Sequence, residues 1–188
     1  MADDNTDGDR LSDGLIHNDR LMLEWHYETQ LPEATEVAAL VAANERFLRV
    51  LAAFGERNPE HHEDHAELMS ELARLELKLD LLLDMVGETL HRQMNLPEPV
   101  PVRLSSRGIE WFTDKLPDCG HVVGIEVYLC AATPRPLRFY GQVEPSRPTG
   151  GVRVVFGAGS SREVEDGLEK FIFRQHRRNV ASRKLGDS

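Results

Sequence analysis

The sequence is poor in aromatic residues and cysteines, and it contains no long apolar run. Aromatic side chains make up 6% of the 188 residues, and the two cysteines, Cys119 and Cys130, have no Cys-x-x-Cys spacing. No stretch approaches the roughly 18 consecutive apolar residues that a membrane-spanning helix requires. The acidic first ten residues do not have the pattern of a signal peptide. We therefore expect a cytoplasmic protein with reduced cysteines and no membrane span.

Positive charge is also scarce. The chain has 32 acidic and 22 basic residues and a net charge of −10, which argues against binding to nucleic acids or anionic membranes. The last twenty residues are the exception, with six basic and two acidic side chains. This end is typical of a helix whose cations complement its dipole, and a patch for phosphate or an acidic partner is the alternative.

Catalytic and metal-binding motifs are missing as well. The sequence has no Gly-rich phosphate loop and no Gly-x-Ser-x-Gly nucleophile turn. His61 and His65 lie one helical turn apart, but His62 and His65 do not have the His-Glu-x-x-His spacing of metalloproteases. A polar first helical turn is the simpler interpretation. We expect neither an enzyme nor a metal or cofactor site.

The hydrophobic pattern predicts one strand followed by two helices. Residues 21–28 alternate with period two, and the apolar positions from residue 32 to 54 have helical spacing. Asn44 is in step with those apolar positions, where an asparagine often fixes a packing register. A second helix is predicted from Pro59 to about Met94.

The second predicted helix carries a heptad pattern. Six apolar residues, called the seam below, recur at alternating steps of four and three: Leu68, Leu72, Leu75, Leu79, Leu82 and Val86. Apolar flanks at Leu83, Met85 and Leu90 widen this stripe, which suits contact among more than two helices or a helix that also packs on its own barrel. We expect the seam to hold a homo-oligomer together, with an intramolecular hairpin against residues 33–54 as the alternative.

Period two returns after residue 101, in five short segments separated by turns rich in Gly and Pro. A last helix follows a Ser160-x-x-Glu163 capping box, with Val164, Leu168, Phe171 and Ile172 as its buried stripe. These segments predict an α+β fold. We expect a small antiparallel β-barrel, a long-helix hairpin or coiled coil inserted after its first strand, and a C-terminal helix.

The same pattern predicts the organisation of the chain. Residues 15–31 and 97–180 are assigned to the barrel and its closing helix, and residues 32–96 to the helical insertion that mediates oligomerisation. On composition, residues 1–14 are expected to form a disordered acidic tail and residues 181–188 a flexible tail.

The strand order and one turn resemble the PilZ domain family. The resemblance is carried by Arg103-Leu104-Ser105-Ser106-Arg107-Gly108-Ile109-Glu110-Trp111, the strand 120–129, Phe139-Tyr140-Gly141-Gln142-Val143, the strand 152–156 and the closing helix. The long helical insertion is similar to that of the atypical, tetramer-forming branch of the family. The resemblance implies a bacterial cyclic di-GMP receptor fold without catalytic activity.

The family's usual ligand site is only partly present. That site combines an Arg-x-x-x-Arg segment before the first strand with an Asp/Asn-x-Ser-x-x-Gly turn, because guanidinium groups grip phosphates and stack on guanine. Here Ser105 and Gly108 match the turn, Arg103 stands at the Asp/Asn position, and the upstream arginine pair is missing. The candidate ligand residues are Arg103, Ser105, Arg107 and Gly108, and a purely structural turn is the alternative.

The resemblance implies a non-enzymatic signalling or adaptor protein in cyclic di-GMP-linked regulation of motility, pili or virulence. We expect a homo-oligomer, a tetramer formed through the long helix, that contacts an unidentified regulatory protein. The alternative is a true cyclic di-GMP receptor with a rearranged basic site, in which Arg103 and Arg107, or Arg174 and Arg178, clamp the phosphates. No nucleic-acid partner is expected.

Overall fold

The computed structural model describes residues 15–55, 66–93, 96–130, 133, 135–146 and 150–186. The elements in these residues are β1 (His17–Tyr27), α1 (Ala34–Gly55), α2 (Ala66–Gln93), β2 (Pro99–Leu104), β3 (Gly108–Trp111), β4 (Val122–Tyr128), β5 (Leu137–Ser146), β6 (Gly151–Val155) and α3 (Arg162–Gly186). Among the helices described, none has the length and apolar character needed to cross a bilayer.

The strands form a closed antiparallel barrel. Their order is β1-β2-β3-β6-β5-β4, and β4 pairs back onto β1. Because side chains alternate along a strand, every second residue faces the barrel interior. Two buried interior rows run across β2, β3 and β6: Leu104–Ile109–Val154 and Val102–Trp111–Val152. The predicted antiparallel barrel and α+β class are confirmed.

β1 begins four residues before the alternating apolar pattern does. Its polar first part pairs with β2, from His17 opposite Leu104 to Arg20 opposite Pro101. His17 is buried, and its ring packs edge-on against that of Phe171, with 6.4 Å between ring centroids. Backbone pairing with β2 therefore sets the start of this strand, which side-chain periodicity alone does not reveal.

α3 packs its apolar stripe into the barrel core, as predicted for Val164, Leu168, Phe171 and Ile172. The cap lies one residue later than predicted, because the Ser160 N–H donates to Gly157 O and keeps Ser160 in the preceding turn. Instead, Ser161 Oγ accepts the Val164 N–H at 3.1 Å. The helix also continues to Gly186, so residues 181–186, predicted as a flexible tail, are helical. Their helix-forming side chains and lack of proline account for this.

A buried amide attaches α1 to the barrel. Asn44 is only 2% exposed, and its Nδ2 donates to Arg138 O at 2.8 Å and to Gly159 O at 2.9 Å. Its Oδ1 accepts the Arg138 N–H at 3.2 Å. Gly159 has a φ of 95°, and an added Cβ would lie 2.4 Å from Arg138 O, so the approach requires glycine. Asn44 thus fixes the register of α1 against β5, whereas the sequence suggested a register between helices.

α2 is separate from the other described elements. It makes no substantial contact with any described strand or helix, whereas α1 packs mainly against α3. The alternative hairpin of α1 and α2 is therefore not seen in the described residues.

Some predictions fall outside the described residues. These are the acidic tail 1–14, the second helix's start at Pro59, and His61 and His65, which lie in 56–65. Of the seam and its flanks, the side chains of Leu68, Leu83 and Leu90 are also outside the description.

The first prediction concerns the Asn44 amide. Asn44→Leu keeps a similar volume but removes the partner of one buried carbonyl, one part-buried carbonyl and one part-buried N–H. We expect the free energy of unfolding to fall by about 3 kcal/mol, since each unsatisfied buried group costs about 1–3 kcal/mol. Urea unfolding measures the loss. The matched control is Gln142→Leu, which removes one exposed hydrogen bond from the side-chain amide to Gly120 O. Equal losses of unfolding free energy in the two variants would contradict the anchoring role.

Candidate functional site

The β2–β3 turn places the candidate ligand residues on a tight backbone loop. The Ser105 N–H donates to Gly108 O at 2.9 Å. The Ser105 hydroxyl is buried, accepts the N–H groups of Arg107 at 3.3 Å and Gly108 at 3.1 Å, and donates to Gly108 O at 3.1 Å. The hydroxyl is therefore occupied within the turn, which is the geometry of a serine-stabilised structural turn.

Arg103 faces the outside of the barrel, where it pairs with an acid on the next strand. Arg103 and Glu110 are register partners, and Arg103 Nη1 lies 2.8 Å from Glu110 Oε2. On the other side of Glu110, Arg153 of β6 approaches Oε1 with its Nε at 3.0 Å. Glu110 is 2% exposed, so one buried carboxylate bridges two guanidinium groups.

The other candidate arginines are held separately. Arg107 is exposed, and its Nε lies 3.3 Å from Glu165 Oε2 in the first turn of α3. Arg174 donates from Nη1 to Ala52 O at the end of α1, at 2.9 Å. Arg178 is exposed farther along α3. The structure thus brings Arg103 and Arg107 to one turn but leaves the α3 pair at a different location.

Glu110 and Arg153 are the residues that sequence reasoning missed as parts of this site. The signal was an acidic residue inside the otherwise apolar Ile109-Glu110-Trp111 segment. A charge at that position requires a partner if it is buried. The partner on β6 is 43 residues away, and only the strand order reveals it.

A concave surface lies between α1 and β5. This cleft of about 600 Å³ is lined by both elements, and its polar walls include Glu36, Arg135, Arg138 and Tyr140. Burial raises the pKa of Tyr140, and the nearby carboxylate of Glu28 raises it further. The Arg138 side chain pairs with a carboxylate on β4, because its Nε lies 2.8 Å from Glu126 Oε1. The cleft carries charges of both signs and so does not favour a polyanion.

Among the described residues, no three acidic, histidine or cysteine side chains are grouped as metal ligands would be.

The fold is that of a small β-barrel domain with a C-terminal helix and a candidate ligand turn between β2 and β3. The atypical PilZ domain family, described as a cyclic di-GMP receptor, matches residues 48–184, and the chain belongs to this family. The resemblance predicted from the sequence is therefore confirmed.

A solved structure supports the fold assignment. A pathogenic protein from Xanthomonas campestris, described as a new tetrameric PilZ domain self-assembled via an unusual helical bundle, is similar with a TM-score of 0.63 and 21% identity. The match covers 90% of this chain and 92% of that chain. Comparison with curated proteins gives no match.

The second prediction tests whether the Ser105 hydroxyl serves the turn. Ser105→Ala removes the acceptor of two N–H groups, so we expect unfolding free energy to fall by about 1–3 kcal/mol in urea denaturation. Ser106→Ala, at the neighbouring and less buried position, should have little effect. If the two variants were equally stable, the hydroxyl would be dispensable to the fold and free for a ligand.

Proposed function

We propose that this protein is a cytoplasmic, non-enzymatic signalling adaptor that assembles through α2 and acts by contacting a regulatory protein. The process is cyclic di-GMP-linked regulation in a bacterium, of motility, pili or virulence. The observation that carries the proposal is the exposed apolar surface of α2.

The seam residues with described side chains are about half exposed in the single chain. Their exposed fractions run from 49% to 58%, for Leu72, Leu75, Leu79, Leu82 and Val86. Covering a half-exposed Leu or Val contributes on the order of 1 kcal/mol, so the seam offers on the order of 5 kcal/mol per chain. α2 packs on none of the described strands or helices to any substantial extent, so another molecule is the source we propose for this stabilisation.

α2 also exposes apolar side chains outside the seam. Leu77 and Leu81 are 70% and 60% exposed, and at 100° per residue they lie on the side of the helix away from the seam, whereas Met85, which is 58% exposed, lies beside the seam. Sequence reasoning counted only Met85 of these three as a flank. A helix that is apolar on two sides needs more than one neighbour, which favours a bundle over a two-stranded coiled coil.

The similar solved protein supports a tetramer. It is described as tetrameric and self-assembled via a helical bundle, and it shares its fold with this chain along nearly its whole length. We therefore propose four copies, held together by the seam.

The third prediction concerns the seam. Leu75→Asp with Leu79→Asp places two charges per chain in the proposed interface, where unpaired charges are strongly disfavoured. We expect light scattering to show a lower assembly mass, with the circular dichroism of the barrel retained.

The control for this variant adds two aspartates at exposed apolar positions outside α2. Leu31→Asp with Val50→Asp changes side chains that are also exposed, and the mass should stay unchanged. An unaltered mass in the folded Leu75→Asp, Leu79→Asp protein would remove the seam from the proposal.

The adaptor role, as opposed to a receptor role, is supported by how the basic side chains are used. Arg103 and Arg107 each pair with an acid of the same chain, Glu110 and Glu165. Arg20, the one arginine before or within β1 that the structure describes, donates to Pro99 O at 2.7 Å. A phosphate ligand would have to compete with these contacts.

The alternative is a cyclic di-GMP receptor with a rearranged basic site. The family description favours it, and so does the exposure of Arg107, which remains accessible beside its partner Glu165. In this case Arg103 and Arg107 would exchange their carboxylate partners for phosphates.

The fourth prediction separates the two roles. Isothermal titration of the full chain with cyclic di-GMP should show no saturable binding in the low-micromolar range. Each charge-assisted contact that is missing costs about 1.5–3 kcal/mol, so a few of them remove roughly three decades of affinity. Low-micromolar binding that Arg103→Ala or Arg107→Ala abolishes would favour the receptor.

A further inference from the structure

The outer wall of the barrel carries a row of charges across four strands. The row runs from Arg103 on β2 to Glu110 on β3, Arg153 on β6 and Glu144 on β5, each residue being the register partner of the next. We propose that Arg103 and Arg153 form an anion-binding position that the chain fills with its own Glu110 carboxylate, which thereby excludes phosphate. This inference deepens the proposed adaptor function, because it names the residue that closes the site.

The geometry of the carboxylate is that of a bound anion. Each Glu110 oxygen faces a different guanidinium: Oε2 lies 2.8 Å from Arg103 Nη1, and Oε1 lies 3.0 Å from Arg153 Nε. Guanidinium groups on opposite sides of an oxyanion are how proteins hold phosphates as well as carboxylates. The position therefore has the donors of a phosphate site, and the anion that occupies it is the Glu110 side chain of the same chain.

Burial shows that the position is enclosed but reachable. The Glu110 side chain is 2% exposed and that of Arg153 is 13% exposed, so water solvates them poorly. The side chain of Arg103 is 38% exposed and forms the solvent side of the cluster. Without the carboxylate, two guanidinium groups would remain close together in a poorly hydrated place, which is unfavourable until another anion enters.

The charge balance explains why the natural chain does not recruit an anion there. Glu110 and Glu144 match Arg103 and Arg153 one for one along the row. Beyond Arg103 the row ends at the neutral Asn18 of β1. The formal charges of these four side chains sum to zero, and removal of Glu110 leaves the four-residue row with one net positive charge.

The test uses Glu110→Ala in the full chain, with inorganic phosphate as the probe. The variant should melt at a lower temperature than the natural protein in sodium chloride. Its melting temperature should then rise with phosphate at constant ionic strength, and titration calorimetry should show saturable phosphate binding, as linkage requires. The natural protein should show neither response.

Two further variants assign the effect. Glu110→Ala with Arg103→Ala should lose the phosphate response, because one of the two guanidinium groups is gone. Glu165→Ala, the matched control, removes the carboxylate beside the exposed Arg107 guanidinium and should show no phosphate response. A parallel titration of Glu110→Ala with cyclic di-GMP shows whether the position also accepts a phosphodiester. Binding of free phosphate alone, or of both anions, supports the site.

If Glu110→Ala does not fold, Glu110→Gln removes the charge at nearly constant volume and should give a weaker response of the same kind. Absence of any phosphate response beyond that of Glu165→Ala, or a response that survives Arg103→Ala, overturns the inference. Binding of cyclic di-GMP by the natural protein, or a monomeric mass, would instead count against the proposed function.

Discussion

The arrangement of the helices depends on the buried amide of Asn44. Three hydrogen bonds attach it to Arg138 of β5 and to Gly159, just before α3. The same junction holds the start of α3, because Ser161 Oγ donates to Glu45 Oε1 of α1 at 3.0 Å. α1 and α3 are therefore held at one anchor on the barrel and pack side by side.

The barrel wall and α2 expose different kinds of surface. On the barrel wall, carboxylates pair with the arginines around them, as Glu110 does with Arg103 and Arg153 and Glu126 does with Arg138. α2 instead leaves leucines on two sides of the helix exposed. The exposed leucines are the surface on which the proposed association depends, whereas the barrel-wall arginines named here already have carboxylate partners.

Sequence periodicity predicted whatever depends on neighbouring residues. It identified the strands and the buried stripe of α3, because these follow from periods of 2 and 3.6 residues, and a period of 3.5 residues predicts the seam. It did not reveal the partners of Asn44, which are 94 and 115 residues away, or the bridge from Glu110 to Arg153. Those contacts depend on strand order and register. A period shows which face a residue occupies, but not which residue lies opposite.

The insertion interrupts two strands that remain adjacent. β1 and β2 pair over six residues, with Met22 opposite Pro99, although α1 and α2 lie between them in sequence. Closing so long a loop costs conformational entropy, but the cost rises by only about 0.6 kcal/mol for each doubling of loop length. The proposed assembly through α2 would add contacts between copies that hold α2 in the folded state. Since β2 follows the insertion and ends at Leu104, beside the candidate turn, a single strand connects the proposed assembly helix to that turn.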